Sequence, residues 1–390
     1  MKHNWEYKRL RDIAPSTPFK GIISSADGKY WCLNLDKIES NTGVVLEYDF
    51  VDGTELGGSV HKFTTDNVLF SKLRPNLNKV IVPEHNGYCT TELVPLHPLN
   101  ILNRYYLAYY LRSPKYVNYI VGKTGGAKMP RVKMDIFWNS KIPVPPMEVQ
   151  KRIVAELDKI NEVIKDCREL LRNLDAIAQS LFYDFFGDPV TNPKGFELRK
   201  LGEIDEISSA KRVLVQDVVD NGIPFIRGTE LACLSKQNSF DPSVFTMFIT
   251  PEHYERVKSI TGVPKPHDLL IPSINADGYI WEINTPEPLY FKDGRVLWVH
   301  VNHGVHSSKW LKFALSKIIK EKYANLSRGA VFAELTLVFL RNLDIIVPPL
   351  SLQEKFATQV EQIEAQKKTV EEMITNLHTL LDSRIDYWFN

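Results

Sequence analysis

Two stretches of this 390-residue chain are near copies of each other. Residues 142–153 read IPVPPMEVQKRI and residues 345–356 read IIVPPLSLQEKF, at an offset of 203 that holds to Phe186 and Phe389. The openings match as well: 5–13 (WEYKRLRDI) resembles 196–204 (FELRKLGEI) at an offset of 191. Between them, 32–38 lies on 225–231 at 193, and 67–70 on 268–271 at 201. A repeat constrains the fold more than any single element, because each copy is one structural unit. The offset grows along the chain, so the second copy carries the extra residues, expected in loops. The ends match better than the middles. Two similar frames holding two different faces are expected.

The frames read as long helices. After Pro145 and Pro146, apolar residues fall at Ile153, Leu157, Ile160, Ile164, Cys167, Leu171, Leu174, Ala178 and Leu181. The second copy gives Phe356, Val360, Ile363, Lys367, Val370, Ile374, Leu377, Leu381 and Arg384, with Lys367 and Arg384 as polar interruptions. Alternating steps of 4 and 3 are the seam of a coiled coil. Ser351–Glu354 (SLQE) fits a capping box at the second helix start. Gly187 and Pro189 are expected to end the first helix. Each helix should span about 50–60 Å, far longer than an average globular helix. A twofold axis relating the half-copies reverses helix direction across the seam, so antiparallel pairing within one chain is expected. The aromatic ends, 182–186 (FYDFF) and 387–389 (YWF), should pack on the globular parts, with packing on a partner as the alternative.

Those parts show short β-like runs at 30–35, 79–83, 225–227, 269–273 and 296–301, and helix-like runs at 104–111 and 309–320. The expected class is α+β: two pseudo-repeated mixed α/β domains joined by two long antiparallel coiled-coil helices. The expected boundaries are 1–141, 142–187 (helix), 188–344 and 345–390 (helix). An apolar fraction of 44% and a charged fraction of 24% suit a folded soluble chain. No apolar run reaches the length of a membrane span, and the N-terminal MKHNWEYKRL lacks an apolar signal core. A cytoplasmic protein with no membrane partner is expected. Four dispersed cysteines without a CxxC pair argue against a disulfide framework.

The net charge is only +1, but residues 1–140 hold 18 Lys+Arg against 13 Asp+Glu, whereas 187–344 hold 19 of each. The polar clusters lie in loops. Ser71–Lys79 (SKLRPNLNK) gathers Lys72, Arg74, Asn76 and Lys79 after an apolar strand. Lys123–Arg131 (KTGGAKMPR) sets Lys128 and Arg131 beside two glycines. In the second half, Ser273, Asn275 and Arg328 stand in loops at corresponding places, and Arg227 ends a β-like run. Lys and Arg neutralise phosphates, while Arg, Asn and Gln reach base edges. Taken singly, each loop reads as a solvated turn; recurrence in both halves brings the nucleic-acid reading level with it.

No GxxxxGK[ST], GxSxG, GxGxxG or [DNS]PP[YFW] pattern occurs, so no catalytic residues and no cofactor are expected. His300, His303 and His306 are the one cluster resembling metal ligands, but their spacing suits neither a strand nor a helical HExxH site. No metal is expected there; a metal-dependent enzyme at these histidines is the reading from another class.

The tandem repeat, the IPxPPxxxQKxI element and its distal copy, the LRDI and LGEI openings and the 66–75 segment DNVLFSKLRP resemble the specificity subunit of Type I restriction–modification enzymes. The resemblance covers nearly the whole chain. It implies two target-recognition domains, each reading half of a split, asymmetric site in double-stranded DNA. It implies helices that act as a spacer and dock two methyltransferase (modification) subunits, with restriction (motor/nuclease) subunits joining. Such a subunit directs chemistry done by others. A stand-alone DNA-binding regulator with the same fold is the alternative.

Overall fold

A computed structural model describes residues 5–16, 28–53, 56, 60–125, 129–238, 240–326 and 333–390. The chain forms two compact units, one of Met1–Glu169 with Glu371–Asn390 and one of Leu170–Val370. Each unit therefore takes one globular part and half of each long helix.

The first unit is closed by the repeat itself. Its opening strand, Glu6–Arg9, pairs antiparallel with Lys141–Val144, the strand just before the first long helix. The following turn of helix, Leu10–Ile13, buries Leu10 and Ile13 and is tied by Leu10 N–H to the Ser140 carbonyl at 2.9 Å. Within this frame lie a four-stranded sheet, in the order Phe50–Asp52, Lys29–Leu33, Gly87–Thr90, Val60–Phe63, and a three-stranded one, Val80–Ile81, Val68–Ser71, Leu93–Leu96. All four residues of Val68–Ser71 are buried. Val68 and Phe70 face one apolar core and Leu69 the other, which is why the sequence shows an unbroken apolar run rather than alternation.

The second unit repeats the frame. Glu197–Lys200 pairs with Asp344–Val347, and Leu201 N–H donates to the Leu343 carbonyl at 2.9 Å. Its central strand, Leu269–Pro272, again divides its side chains between two cores, Leu269 and Ile271 against Leu270. The middles diverge: helices Gly228–Gln237 and Pro251–Thr261 belong to this unit, and its helix Ser308–Leu326 is far longer than Arg104–Arg112 of the first. The β-like and helix-like runs of the sequence are all present, with ends displaced by a few residues.

The long helices are Met147–Phe186 and Leu350–Phe389, 40 residues each, or about 60 Å. Ile153, Leu157, Ile160, Ile164, Cys167, Leu174, Ala178, Phe356, Val360, Ile363 and Val370 are buried; Leu171, Ile374, Leu377 and Leu381 are half-buried. In the first unit Glu156 meets Arg384, and Cys167 meets Met373 at 3.6 Å. In the second, Asp175 meets Lys367 at 2.5 Å, and Phe182 meets Phe356 with ring centres 5.6 Å apart. Positions rise on one helix as they fall on the other, so the pairing is antiparallel. Both polar interruptions of the seam are ion-paired to the facing helix. The aromatic ends do pack inward: Phe182 and Phe186 join the second unit's core, and Trp388 and Phe389 the first's, while Tyr387 stays exposed.

The helix ends need one correction. Gly187 does stop the first helix, at φ 71°, where a Cβ would lie 2.6 Å from Pro193. The expected capping box at Ser351–Glu354 does not form. The second helix begins at Leu350, and the Pro349 carbonyl already accepts from Gln353 N–H at 3.2 Å, so Ser351 lies inside the first turn.

Candidate nucleic-acid interface

In the first unit the two polar loops come together. Leaving Val68–Ser71, the chain turns through Arg74 and Asn78, both left-handed (φ 47° and 51°), around a short 3-10 turn at Pro75–Leu77. Arg74 N–H donates to the Pro130 carbonyl at 2.8 Å, Val132 N–H to the Lys72 carbonyl at 2.9 Å, and Leu73 bridges Arg131. The backbone of one loop thus holds the other.

This leaves Arg74 and Asn76 exposed, with no side-chain partner among the described residues. Arg131 is exposed and paired with Glu92 at 3.0 Å, an ion pair of about 0–1 kcal/mol that a phosphate can replace. Lys72 is half-buried and lines an open cavity of about 640 Å³ with Arg11, His61, Asp135 and Trp138. Lys79 turns inward instead: its Nζ donates to the Leu35 carbonyl at 2.7 Å. Lys128 lies outside the described residues.

The second unit places its expected residues differently. Arg227 opens the helix Gly228–Gln237 and grips Glu230 with Nε at 3.2 Å and a terminal nitrogen at 2.5 Å, which also reaches Thr246 Oγ1 at 3.1 Å. Burial would raise the Glu230 carboxyl, but hydrogen bonds from Arg227 and from its own N–H hold it below the usual range. Ser273 and Asn275, expected to face a ligand, are each 1% exposed. Asn275 closes its own turn, Nδ2 donating to the Tyr279 carbonyl at 2.8 Å and Oδ1 accepting from Tyr279 N–H at 2.6 Å. An asparagine that caps a turn and one that offers its amide outward look the same in sequence. Arg328 lies outside the described residues.

Two exposed cations were missed. Lys292 and Arg295 flank the turn Lys292-Asp-Gly-Arg295 and line a cavity of about 530 Å³ with Arg227, Gly228, Thr229 and Ile274. An Asp-Gly turn bracketed by cations was the available signal.

The three histidines do not converge. His300 Nε2 meets Ser208 Oγ at 2.8 Å with its ring 3.6 Å from that of Trp298. His306 is buried against Asp205 at 2.7 Å, and His303 faces His267. Among the described residues no group of His, Cys, Asp or Glu could hold a metal ion, and no helix is long and apolar enough to cross a membrane.

Comparison with known proteins supplies the context. The sequence profile of the Type I restriction modification DNA specificity domain matches residues 2–171. The MjaVIII specificity subunit of Methanocaldococcus jannaschii is 25% identical over 390 residues, covering 93% of this chain and 87% of that protein. A putative specificity subunit of Haemophilus influenzae, S.HindORF215P, is 24% identical over 294 residues, covering 74% and 71%. Among solved structures, a chain from a study of assembly and conformational transition of a type I R-M system aligns over 99% of this chain and 97% of its own, at a TM-score of 0.62 and 19% identity. The S subunit from M. genitalium aligns over 98% and 96%, at a TM-score of 0.53 and 14% identity. These two likenesses concern the fold.

Proposed function

We propose that the chain is a specificity subunit of a Type I restriction–modification system and that it reads a bipartite, asymmetric site in double-stranded DNA, a reading supported by the profile match over residues 2–171 and the likeness to the MjaVIII subunit. It is a non-catalytic DNA-recognition subunit, working in the cytoplasm. Recognition is assigned to residues 1–141 and 188–344, spacing and docking to the helices 142–187 and 345–390.

The observation that carries this reading is the pairing of alike frames with unlike faces. Both frames have the same strand pair, the same buried helix turn and the same seam. A partner present in two copies needs alike surfaces, whereas an asymmetric site needs two different readers. In the first domain Lys72, Arg74, Asn76 and Arg131 are the DNA-facing residues. In the second, Arg227, Lys292 and Arg295 are.

Docking of two methyltransferase subunits, with restriction subunits joining them, is assigned to the outer faces of the helices. Leu170 and Ile177 are exposed on the first helix, and their repeat equivalents, Met373 and Leu380, on the second. Leu170 and Ile177 form the outward pair of the second unit; in the first, Leu380 faces out while Met373 is shared with the seam, where it touches Cys167.

The test is expression with the methyltransferase partner in a host lacking it, followed by methylation-sensitive sequencing. The expected result is methylation of one two-part, non-palindromic site that disappears without this chain. Replacing Lys72, Arg74 and Arg131 with Ala should weaken binding to all sequences and flatten the salt dependence by about one unit for each phosphate no longer neutralised. Unchanged affinity and slope would rule out this surface.

A further inference from the structure

Each long helix is tied to its own globular part by a polar contact at one repeat position, because Asn161 and Glu364 are equivalent residues at the offset of 203. In the first unit the Tyr109 hydroxyl donates to Asp158 Oδ1 at 2.6 Å and accepts from Asn161 Nδ2 at 3.0 Å. Burial, then the bond to Asp158, pushes the Tyr109 phenol well up, so it stays a donor.

In the second unit Glu364 Oε2 takes Lys309 Nζ at 2.6 Å, and Oε1 takes Asn238 Nδ2 at 2.8 Å. Asn238 Oδ1 accepts from Lys312, and Lys309 also lies 3.5 Å from the buried carboxylate of Glu282. Burial pushes the Lys312 ammonium down. Asn238, at φ 50°, terminates the helix Gly228–Gln237. The other end of that helix is Arg227 and the cationic cavity. One short helix, about 15 Å long, thus runs from the candidate DNA surface to the long helix.

We propose that Tyr109 with Asn161, and Lys309 and Asn238 with Glu364, are register locks: positioning residues that fix where each recognition domain sits along its long helix, and so which gap between half-sites is accepted. Sliding a helix by one residue moves every side chain by 1.5 Å and 100°. Apolar packing can re-form after such a slip. Lys309, Lys312 and Glu282 cannot, because the slip strands them inside without partners. Buried polar groups between helices set register in this way. The location of the lock is repeated while its chemistry is not, as expected if position along the helix is the quantity being held. The proposal rests on the reading of a two-part DNA site.

The test uses the full chain in complex with its methyltransferase partner and reads methylation at sites of every gap length. Glu364→Ala and, separately, Tyr109→Phe should leave the methylated bases unchanged but reduce the preference for the native gap over gaps one base pair away at least about tenfold. Thr369→Ala, an exposed position of the same helix bonded only to its own Ala365 carbonyl, should leave the gap unchanged. Tyr109→Phe removes a single hydroxyl and keeps the test decisive if Glu364→Ala does not fold. A single sharp gap in folded complexes of both variants overturns the lock, as does a change in the bases read. If wild-type chain supports no two-part methylation, the DNA-reading assignment itself falls, and the lock with it.

Discussion

Gln150 and Gln353 have no surface exposure and the same three kinds of partner. Gln150 accepts from Asn103 N–H at 2.8 Å and donates to the Ile101 and Pro145 carbonyls at 2.9 and 2.8 Å. Gln353 accepts from Ser307 N–H and donates to the Val305 and Pro348 carbonyls, at 2.9, 3.0 and 2.8 Å. One amide thus pins the loop before each domain's helix to the start of each long helix. Gln150→Leu or Gln353→Leu would leave buried backbone groups unpaired and should cost about 3 kcal/mol, read by urea unfolding. Both glutamines were visible in the sequence as part of a repeated motif. Their role was not, because it depends on a loop that arrives from almost fifty residues upstream. Glu230 gives a pH prediction. Its folded carboxyl titrates below its unfolded value, so its stabilisation is present above about pH 4.5 and is lost as pH falls through the depressed value. Arg227→Ala strands that carboxylate and should cost about 2 kcal/mol at pH 7. The difference from wild type should narrow as pH falls from 7 to 4, as thermal unfolding across that range would report.

The two long helices were the most legible elements, since a nine-position seam survives two polar interruptions. What the seam could not tell is that those interruptions are unlike. Lys367 meets the mostly exposed Asp175. Arg384 meets Glu156 and also lies over the rings of Tyr387 and Trp388, at 4.5 and 5.7 Å. Lys367→Leu should therefore raise stability by about 1 kcal/mol, the exposed ion pair being weaker than the apolar burial that replaces it. Arg384→Leu should lower it by a similar amount, since it gives up stacking and a partner that also receives the Trp388 indole N–H. Equal effects from the two substitutions in denaturant titrations would contradict this contrast. Ile160→Asp or Ile363→Asp should cost several kcal/mol by placing an unpaired charge in the seam. The strands were legible where both faces are buried, as at Val68–Ser71 and Leu269–Pro272. The candidate DNA-binding loops were legible only as polar loops: Arg74 and Asn76 are exposed, while Lys79 and Asn275, of similar chemistry, hold the fold.

At the scale of the whole chain, matched ends and divergent middles should separate assembly from base reading. Exchanging residues 14–140 for the corresponding segment of another such subunit should change one half-site only, and methylation sequencing would show it. Inserting four residues at matched places in both helices, about 6 Å each, should lengthen the gap by one or two base pairs and leave both half-sites intact. The repeat made this division visible without any structure. The closure of the first unit was less visible, because its core takes Ile385, Trp388 and Phe389 from the far end of the chain, with Lys115 bonded to the Phe389 carbonyl at 2.8 Å. That closure has a consequence for the order of synthesis. A ribosome finishes all of residues 170–370 before it makes the segment that covers Tyr106 and Tyr110. At roughly 5–20 residues per second the first-made unit waits for its last part for on the order of ten to forty seconds. During that time the later-made unit can fold first, and the earlier-made unit is the one that most needs protection from aggregation.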